Sequence, residues 1–126
     1  MLDLIIKNGK CYIDGDLKEV SVGVKRGKID KIGEISSDAK ETIDAKDLLV
    51  LPGCIDTQTH FREPGSTDTE DLHSGSRAAI VGGITSVFEM PNTNPPTSNL
   101  IEFQRKLDLA KNRMYCNYAF YFGATA

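Results

Sequence analysis

Along the first forty or so residues, apolar and polar positions alternate in short runs broken by turn residues. In DLIIKNGKCYI, Asn8-Gly9 is a turn dipeptide between two β-prone runs. In VSVGVKRGKIDKIGEI, Val20, Val22 and Val24 alternate, Arg26-Gly27-Lys28 turns the chain, and Ile29 begins another run. This pattern predicts a small antiparallel β domain over residues 1–50. Standing alone, so few strands would bury little apolar area and leave open edges. After Leu48 the rhythm changes. CIDTQTHF is a candidate buried strand, and TEDLHSGSRAAIVGG has helical content that ends at Gly82-Gly83, where a left-handed stop forms readily. ITSVFEM, β-branched and aromatic, predicts a second strand. SNLIEFQRKLDLAKNR places Leu100, Phe103, Leu107 and Ala110 at helical spacing, with Ser98 or Asn99 as N-cap, and YCNYAFYFGAT predicts a third strand. Strand, helix, strand, helix, strand over residues 51–126 implies parallel pairing through right-handed crossovers. A three-stranded parallel sheet has raw edges, and Ala126 stands where another crossover helix is expected, so the reading is a fragment of a larger α/β fold.

Composition narrows the classes of partner. The 126 residues carry a net charge of −3 and are 40% hydrophobic, which suits one folded domain or a piece of one. Lys and Arg are scattered, so the basic stripe that a nucleic-acid partner requires is missing. The longest apolar run, LLVLPGCI, is interrupted by Pro52-Gly53 and is too short to cross a membrane. The start, MLDLIIKNGK, does not have the layout of a signal peptide, which makes the cytosol the default address. Cys11, Cys54 and Cys116 are odd in number and widely spaced; neither a disulfide framework nor a thiolate zinc knuckle is expected, and reduced, mostly buried thiols are.

Chemistry concentrates in IDTQTHFREPG. Alternate side chains of a strand share a face, so Asp56, Gln58, His60 and Arg62 would line one side of the first parallel strand. Burying such a polar row without partners costs several kcal/mol, so it should face a site or water. The plainer alternative, a strand end emerging into solvent, accounts for Arg62 and Glu63 but less well for Gln58 and His60. The second strand closes with EMPNTNPP, whose Pro91, Pro95 and Pro96 fix a loop that presents Asn92 and Asn94 near the same rim. By itself that loop reads as an ordinary rigid turn. In parallel α/β folds, however, ligands gather at the carboxyl ends of strands, and two separate loops converge there.

Taken together, PGCIDTQTHFREPG, HSGSRAAIVGGITSVFEMPNTNPPT and FYFGAT resemble the dihydroorotases of the amidohydrolase superfamily, in the family's order and over nearly the whole chain. LIIKNGKCYI, GKIDKIGEI and DAKDLLVLPG are similar to the superfamily's small β domain and the approach to its barrel. The resemblance implies the N-terminal portion of a (β/α)₈ TIM barrel preceded by a small β-sandwich-type domain, cut after the third barrel strand. It implies reversible closure of N-carbamoyl-L-aspartate to L-dihydroorotate in pyrimidine synthesis, with one or two zinc ions in the whole protein. By the same resemblance His60 matches the second histidine of an H-x-H metal motif. Arg62 matches the arginine that clamps a substrate carboxylate, a task suited to a planar bidentate donor, and Asn92 matches an asparagine that helps it. The catalytic aspartate and the other metal ligands of the family belong to later strands, so no catalytic residue is assigned in this segment and the segment alone is expected to be silent.

One position departs from the family's pattern. Gln58 stands where the first metal histidine is expected, and a neutral amide oxygen is a poorer zinc partner than imidazole. An active enzyme relying mainly on one metal position, with Gln58 as a weaker ligand, is one reading. A non-catalytic assembly partner for another enzyme of the pathway is a second, and an allantoinase or hydantoinase-type relative is a third. A small-molecule substrate and a homo-oligomer or pathway-enzyme partner accompany the first. His73 reads as an ordinary helix residue; Asp56 as a support for the site or an inner structural contact; Glu70, Asp71 and Glu102 as charges suited to first helical turns; Thr125 as a residue that would touch the mouth of the site.

Overall fold

Asn8 does turn the chain, with φ of 63°, yet the strands on either side of it join different sheets. In the computed structural model, which describes residues 1–124, the chain divides into two units, Met1–Pro52 and a second from Gly53 onward. The first unit contains β1 (Leu2–Lys7), β2 (Lys10–Ile13), β3 (Asp16–Glu19), β4 (Ser21–Lys25), β5 (Lys28–Gly33), β6 (Ala39–Asp44) and β7 (Leu49–Val50). One sheet has the order β5-β4-β1-β6 and the other β3-β2-β7.

The expected antiparallel domain is therefore a mixed one. β4 pairs antiparallel with β1 and β5, and β2 with β3, but β1 runs parallel to β6 and β2 parallel to β7. A turn dipeptide sets a local reversal and leaves the distant partner open. Here the Asn8 side chain donates to Asp44 at 2.8 Å and Ala45 N–H donates to the Lys7 carbonyl at 2.8 Å, which brings β6 alongside β1. The β4–β5 hairpin follows the sequence pattern, because Arg26 and Gly27 take φ of 52° and 72°, the left-handed pair that a tight hairpin turn requires.

The second unit consists of β8 (Cys54–Thr59), α1 (Leu72–Val81), β9 (Ile84–Glu89), α2 (Leu100–Ala110) and β10 (Asn117–Phe120). Its sheet has the order β10-β9-β8 with both pairings parallel, an α/β arrangement in which each helix is the crossover between neighbouring strands. Phe61, Leu72, Val87, Ala110 and Cys116 form its core. Gly75 on α1 is required by that packing, since the Phe61 ring occupies the space a Cβ would take.

Both helices begin on built caps. Asp71 accepts from Ser74 N–H at 2.6 Å while Asp71 N–H donates to Ser74 Oγ at 3.2 Å, a reciprocal capping box. Asn99, one of the two expected caps, accepts from Glu102 N–H at 2.9 Å. Of the stripe expected on α2, Phe103, Leu107 and Ala110 are half-buried or buried, Leu100 is not, and a lysine joins them. Leu100 and Ile101 are each 79% exposed, and the buried positions are Lys106 and Ala110. Among the described residues no helix is long and apolar enough to cross a membrane. All three cysteines are free; Cys11 and Cys116 are buried, whereas Cys54 is exposed.

Candidate functional site

The two-residue alternation expected from Asp56 to Arg62 breaks in the middle. β8 pairs with β9 through Asp56↔Val87 and then Thr59↔Glu89, so three steps along β8 match two along β9. One residue is extra, and the strand bulges at Thr57–Gln58. Asp56 satisfies the loosened backbone by accepting from Gln58 N–H at 2.9 Å, and Gln58 itself is exposed. At the far end Arg62 takes φ of 63° and its carbonyl accepts from Ser66 N–H at 2.9 Å, which turns the chain away from strand geometry. Gln58, His60 and Arg62 thus do not form a continuous stripe.

What the fold does bring together is His60 and Asn92. His60 directly follows β8, Asn92 lies in the loop after β9, and His60 Nδ1 is 3.0 Å from Asn92 Oδ1. A carboxamide oxygen only accepts, so Nδ1 carries the proton and Nε2 keeps its lone pair. The two loops are joined a second time, by Asn94 N–H donating to the Pro64 carbonyl at 3.0 Å. The Arg62 side chain is exposed and has no hydrogen-bond or ion-pair partner among the described residues. It stands on the loop that begins at His60, and its guanidinium is free to meet an anion.

Beneath His60 lies a buried ion pair that the sequence reading missed. The side chains of Glu89, the last residue of β9, and Lys106, in the middle of α2, are 1% and 0% exposed and paired with each other. Glu89 Oε1 accepts from Phe61 N–H at 3.2 Å, and Lys106 Nζ donates to the Met90 carbonyl at 3.0 Å and lies over the Phe120 ring. Burial pushes the Glu89 carboxyl above its usual range, opposed by the hydrogen bond and charge of Lys106. A signal existed: a lysine falls on the apolar stripe of α2 between Phe103 and Ala110, and an acid closes an otherwise apolar strand.

Glu63, which the alternative of a strand end emerging into solvent would leave in water, is buried. It accepts from Arg113 at 2.8 and 3.1 Å in a two-pronged ion pair and from Leu72 N–H at 2.9 Å, tying the β8–α1 loop to the far end of α2. His73 is exposed, with Nε2 3.2 Å from the Tyr115 hydroxyl and no tie to the His60 site. Asp71 caps α1, and hydrogen bonds from the Ser74 backbone and side chain hold its carboxyl below the usual range. Glu102 lies in the first turn of α2 and pairs with Arg105 at 3.5 Å. Thr125 lies outside the described residues.

As a cation site the segment is partial. Among the described residues no three His, Cys, Asp or Glu side chains come together as a metal-binding group. Its donors are one imidazole with a free Nε2 and one exposed carboxamide, fewer than the four that zinc takes. Two such donors fit part of a divalent site and do not make one by themselves.

The chain has relatives among known proteins. A family model described as the Amidohydrolase family matches residues 49–125, more than half of the chain. The chain is 43% identical over 123 residues to a dihydroorotase of Methanothermobacter thermautotrophicus, covering 98% of this chain and 28% of that one. It is 45% identical over 113 residues to an allantoinase of Escherichia coli (strain SMS-3-5 / SECEC), covering 89% of this chain and 25% of that one. An L-hydantoinase (dihydropyrimidinase) structure from Arthrobacter aurescens superposes with a TM-score of 0.85 at 34% identity, over 98% of this chain and 28% of that one. The chain spans roughly a quarter of the length of the curated relatives it matches.

Proposed function

Because the chain belongs to the amidohydrolase family, we propose that the whole protein is a metal-dependent cyclic amide hydrolase of the dihydroorotase type. In this reading it interconverts N-carbamoyl-L-aspartate and L-dihydroorotate in the cytosol, as a step of pyrimidine synthesis. The second unit is the first βαβαβ portion of a (β/α)₈ barrel, and its site lies at the carboxyl ends of the strands. The observation that carries the reading is the 3.0 Å contact between His60 Nδ1 and Asn92 Oδ1, which leaves a basic ring nitrogen at that rim.

The residues of this chain divide the work. His60 holds a divalent cation, zinc in this proposal, through Nε2, and Gln58 is a weaker neutral oxygen donor beside it. Such an ion, when bound, supplies Lewis-acid polarisation of the ring amide and acidification of water. Arg62 clamps the free carboxylate of the substrate with its planar fork. Asn92 orients the imidazole through Oδ1, and its amide N–H groups remain available to the same carboxylate. The proton shuttle and the remaining ligands come from elsewhere in the protein, which works as a homo-oligomer or beside another enzyme of the pathway.

The similarity to an allantoinase supports a second reading, hydrolysis of a different cyclic ureide at the same site. Gln58 supports a third, an assembly partner without turnover. Assaying the purified whole protein against carbamoyl-aspartate, allantoin and hydantoin, with metal analysis of the same sample, separates them. Turnover of the first substrate is expected. Turnover of allantoin alone moves the assignment to the second reading, and bound zinc with no turnover of any of the three moves it to the third.

A further inference from the structure

A buried ion pair contributes little net stability, because desolvation consumes most of the attraction, and an apolar pair of similar volume does as well or better. Glu89 and Lys106 therefore need another reason to lie at the centre of this unit, and their remaining hydrogen bonds supply one. The Thr59 carbonyl, on the amino side of His60, accepts from Met90 N–H at 2.9 Å. The Phe61 N–H, on the carboxyl side, donates to Glu89 Oε1 at 3.2 Å. Both peptide groups that flank His60 are thus held by the end of β9. Lys106 in turn anchors Glu89 and the Met90 carbonyl from α2. An apolar pair would fill the volume but would leave Phe61 N–H and the Met90 carbonyl without these side-chain partners.

We propose that Glu89 is a positioning residue for His60, with Lys106 as its support: Glu89 fixes the peptide plane on the carboxyl side of His60, the one the β8–β9 backbone bond does not hold, so that the ring meets Asn92 and presents Nε2 to the site. The proposal deepens the functional reading above and rests on it only for the catalytic consequence. The device is directional. Glu89 is the acceptor that matters to His60, and Lys106 serves by pairing with it in its buried position.

Two charge-free double variants of the whole protein test this. E89Q/K106M removes both charges and keeps an oxygen acceptor for Phe61 N–H; E89L/K106M removes the acceptor as well. Histidine-selective ¹⁵N NMR on metal-free protein, with the His60 signal assigned from a His60→Gln variant, reads the ring without calling on activity. The expected result is one Nδ1–H tautomer for the parent and for E89Q/K106M, and a signal averaged over ring orientations for E89L/K106M, with the His73 signal unmoved in all three. Turnover is expected to follow, with kcat about tenfold lower in E89L/K106M and KM little changed. Identical His60 spectra in the two doubles, whether both ordered or both averaged, overturn the proposal. Should E89L/K106M fail to fold, Glu89→Asp retains the charge and withdraws the acceptor by one methylene; an unmoved His60 signal in that variant is equally fatal. Absence of turnover in the parent would remove the hydrolase reading and leave the NMR result to decide the positioning role.

Discussion

His60 divides its two ring nitrogens between a fixed partner and an open position, and Arg62 carries a charge with no partner among the described residues. If His60 is the ligand proposed, His60→Ala lowers metal content and turnover together, and elemental analysis that finds full occupancy in the variant removes its role. If Arg62 is the clamp, Arg62→Ala weakens carbamoyl-aspartate binding by about 2 kcal/mol, some thirtyfold in KM, because a charge-assisted pair is lost. An unchanged KM in steady-state kinetics would assign the clamp elsewhere. The approach of His60 to Asn92 was legible because both follow neighbouring strands of one parallel sheet, while the roles given to them and to Arg62 came from the resemblance. Their exact facing was not legible. Strand alternation placed Asp56 and Arg62 on the face of His60, and a bulge at Thr57–Gln58 shifts Asp56 out of that register while a left-handed backbone at Arg62 ends it. A bulge leaves no mark in residue order when Asp56 can satisfy it locally.

At the scale of elements, the second unit follows its hydrophobic pattern closely, because contacts between adjacent βα segments are local and each helix is marked by a cap. The first unit does not, since β1 meets β6 and β2 meets β7 across long separations that no dipeptide encodes. The buried lysine of α2 has the same kind of origin. Leu100 and Ile101 sit in its first turns as apolar as any core residue, while a lysine takes the buried position because Glu89 waits opposite it. The caps make separate predictions. Asp71→Ala removes the carboxylate half of the box, leaving the bond from its own N–H to Ser74 Oγ, and lowers stability by about 1 kcal/mol, measured by urea unfolding. The folded state holds the Asp71 carboxyl below its ordinary range, so the carboxylate's contribution is complete above the unfolded-state value and fades as pH falls through the lower folded one. The difference between parent and variant should accordingly shrink on acidification, and a gap constant from pH 7 down to pH 2 would contradict it. Glu63→Ala is more severe, because it strands Arg113 and Leu72 N–H; about 3 kcal/mol is expected.

Across the whole molecule, the second unit displays more apolar surface than an independent domain tolerates. Val81 on α1 is 83% exposed, Ile55 on β8 62%, and Leu100 and Ile101 on α2 face outward as well. Among the described residues β8 and β10 each pair with one neighbour only, so both present unpaired backbone groups along one side. Surface of this kind, left in water, finds another surface. The 126-residue chain expressed by itself should therefore bind a hydrophobic dye and elute in size exclusion as species larger than a monomer. The same isolation leaves His60 as a lone imidazole donor, and a single neutral nitrogen with one amide oxygen cannot hold zinc against its hydration shell. Calorimetric titration of that chain should show zinc binding weaker than about micromolar, and no turnover of carbamoyl-aspartate. A monodisperse, dye-silent monomer would mean that the exposed side chains fold onto one another in a way these contacts do not provide. Micromolar zinc binding abolished by His60→Ala would mean that the segment already holds a complete site.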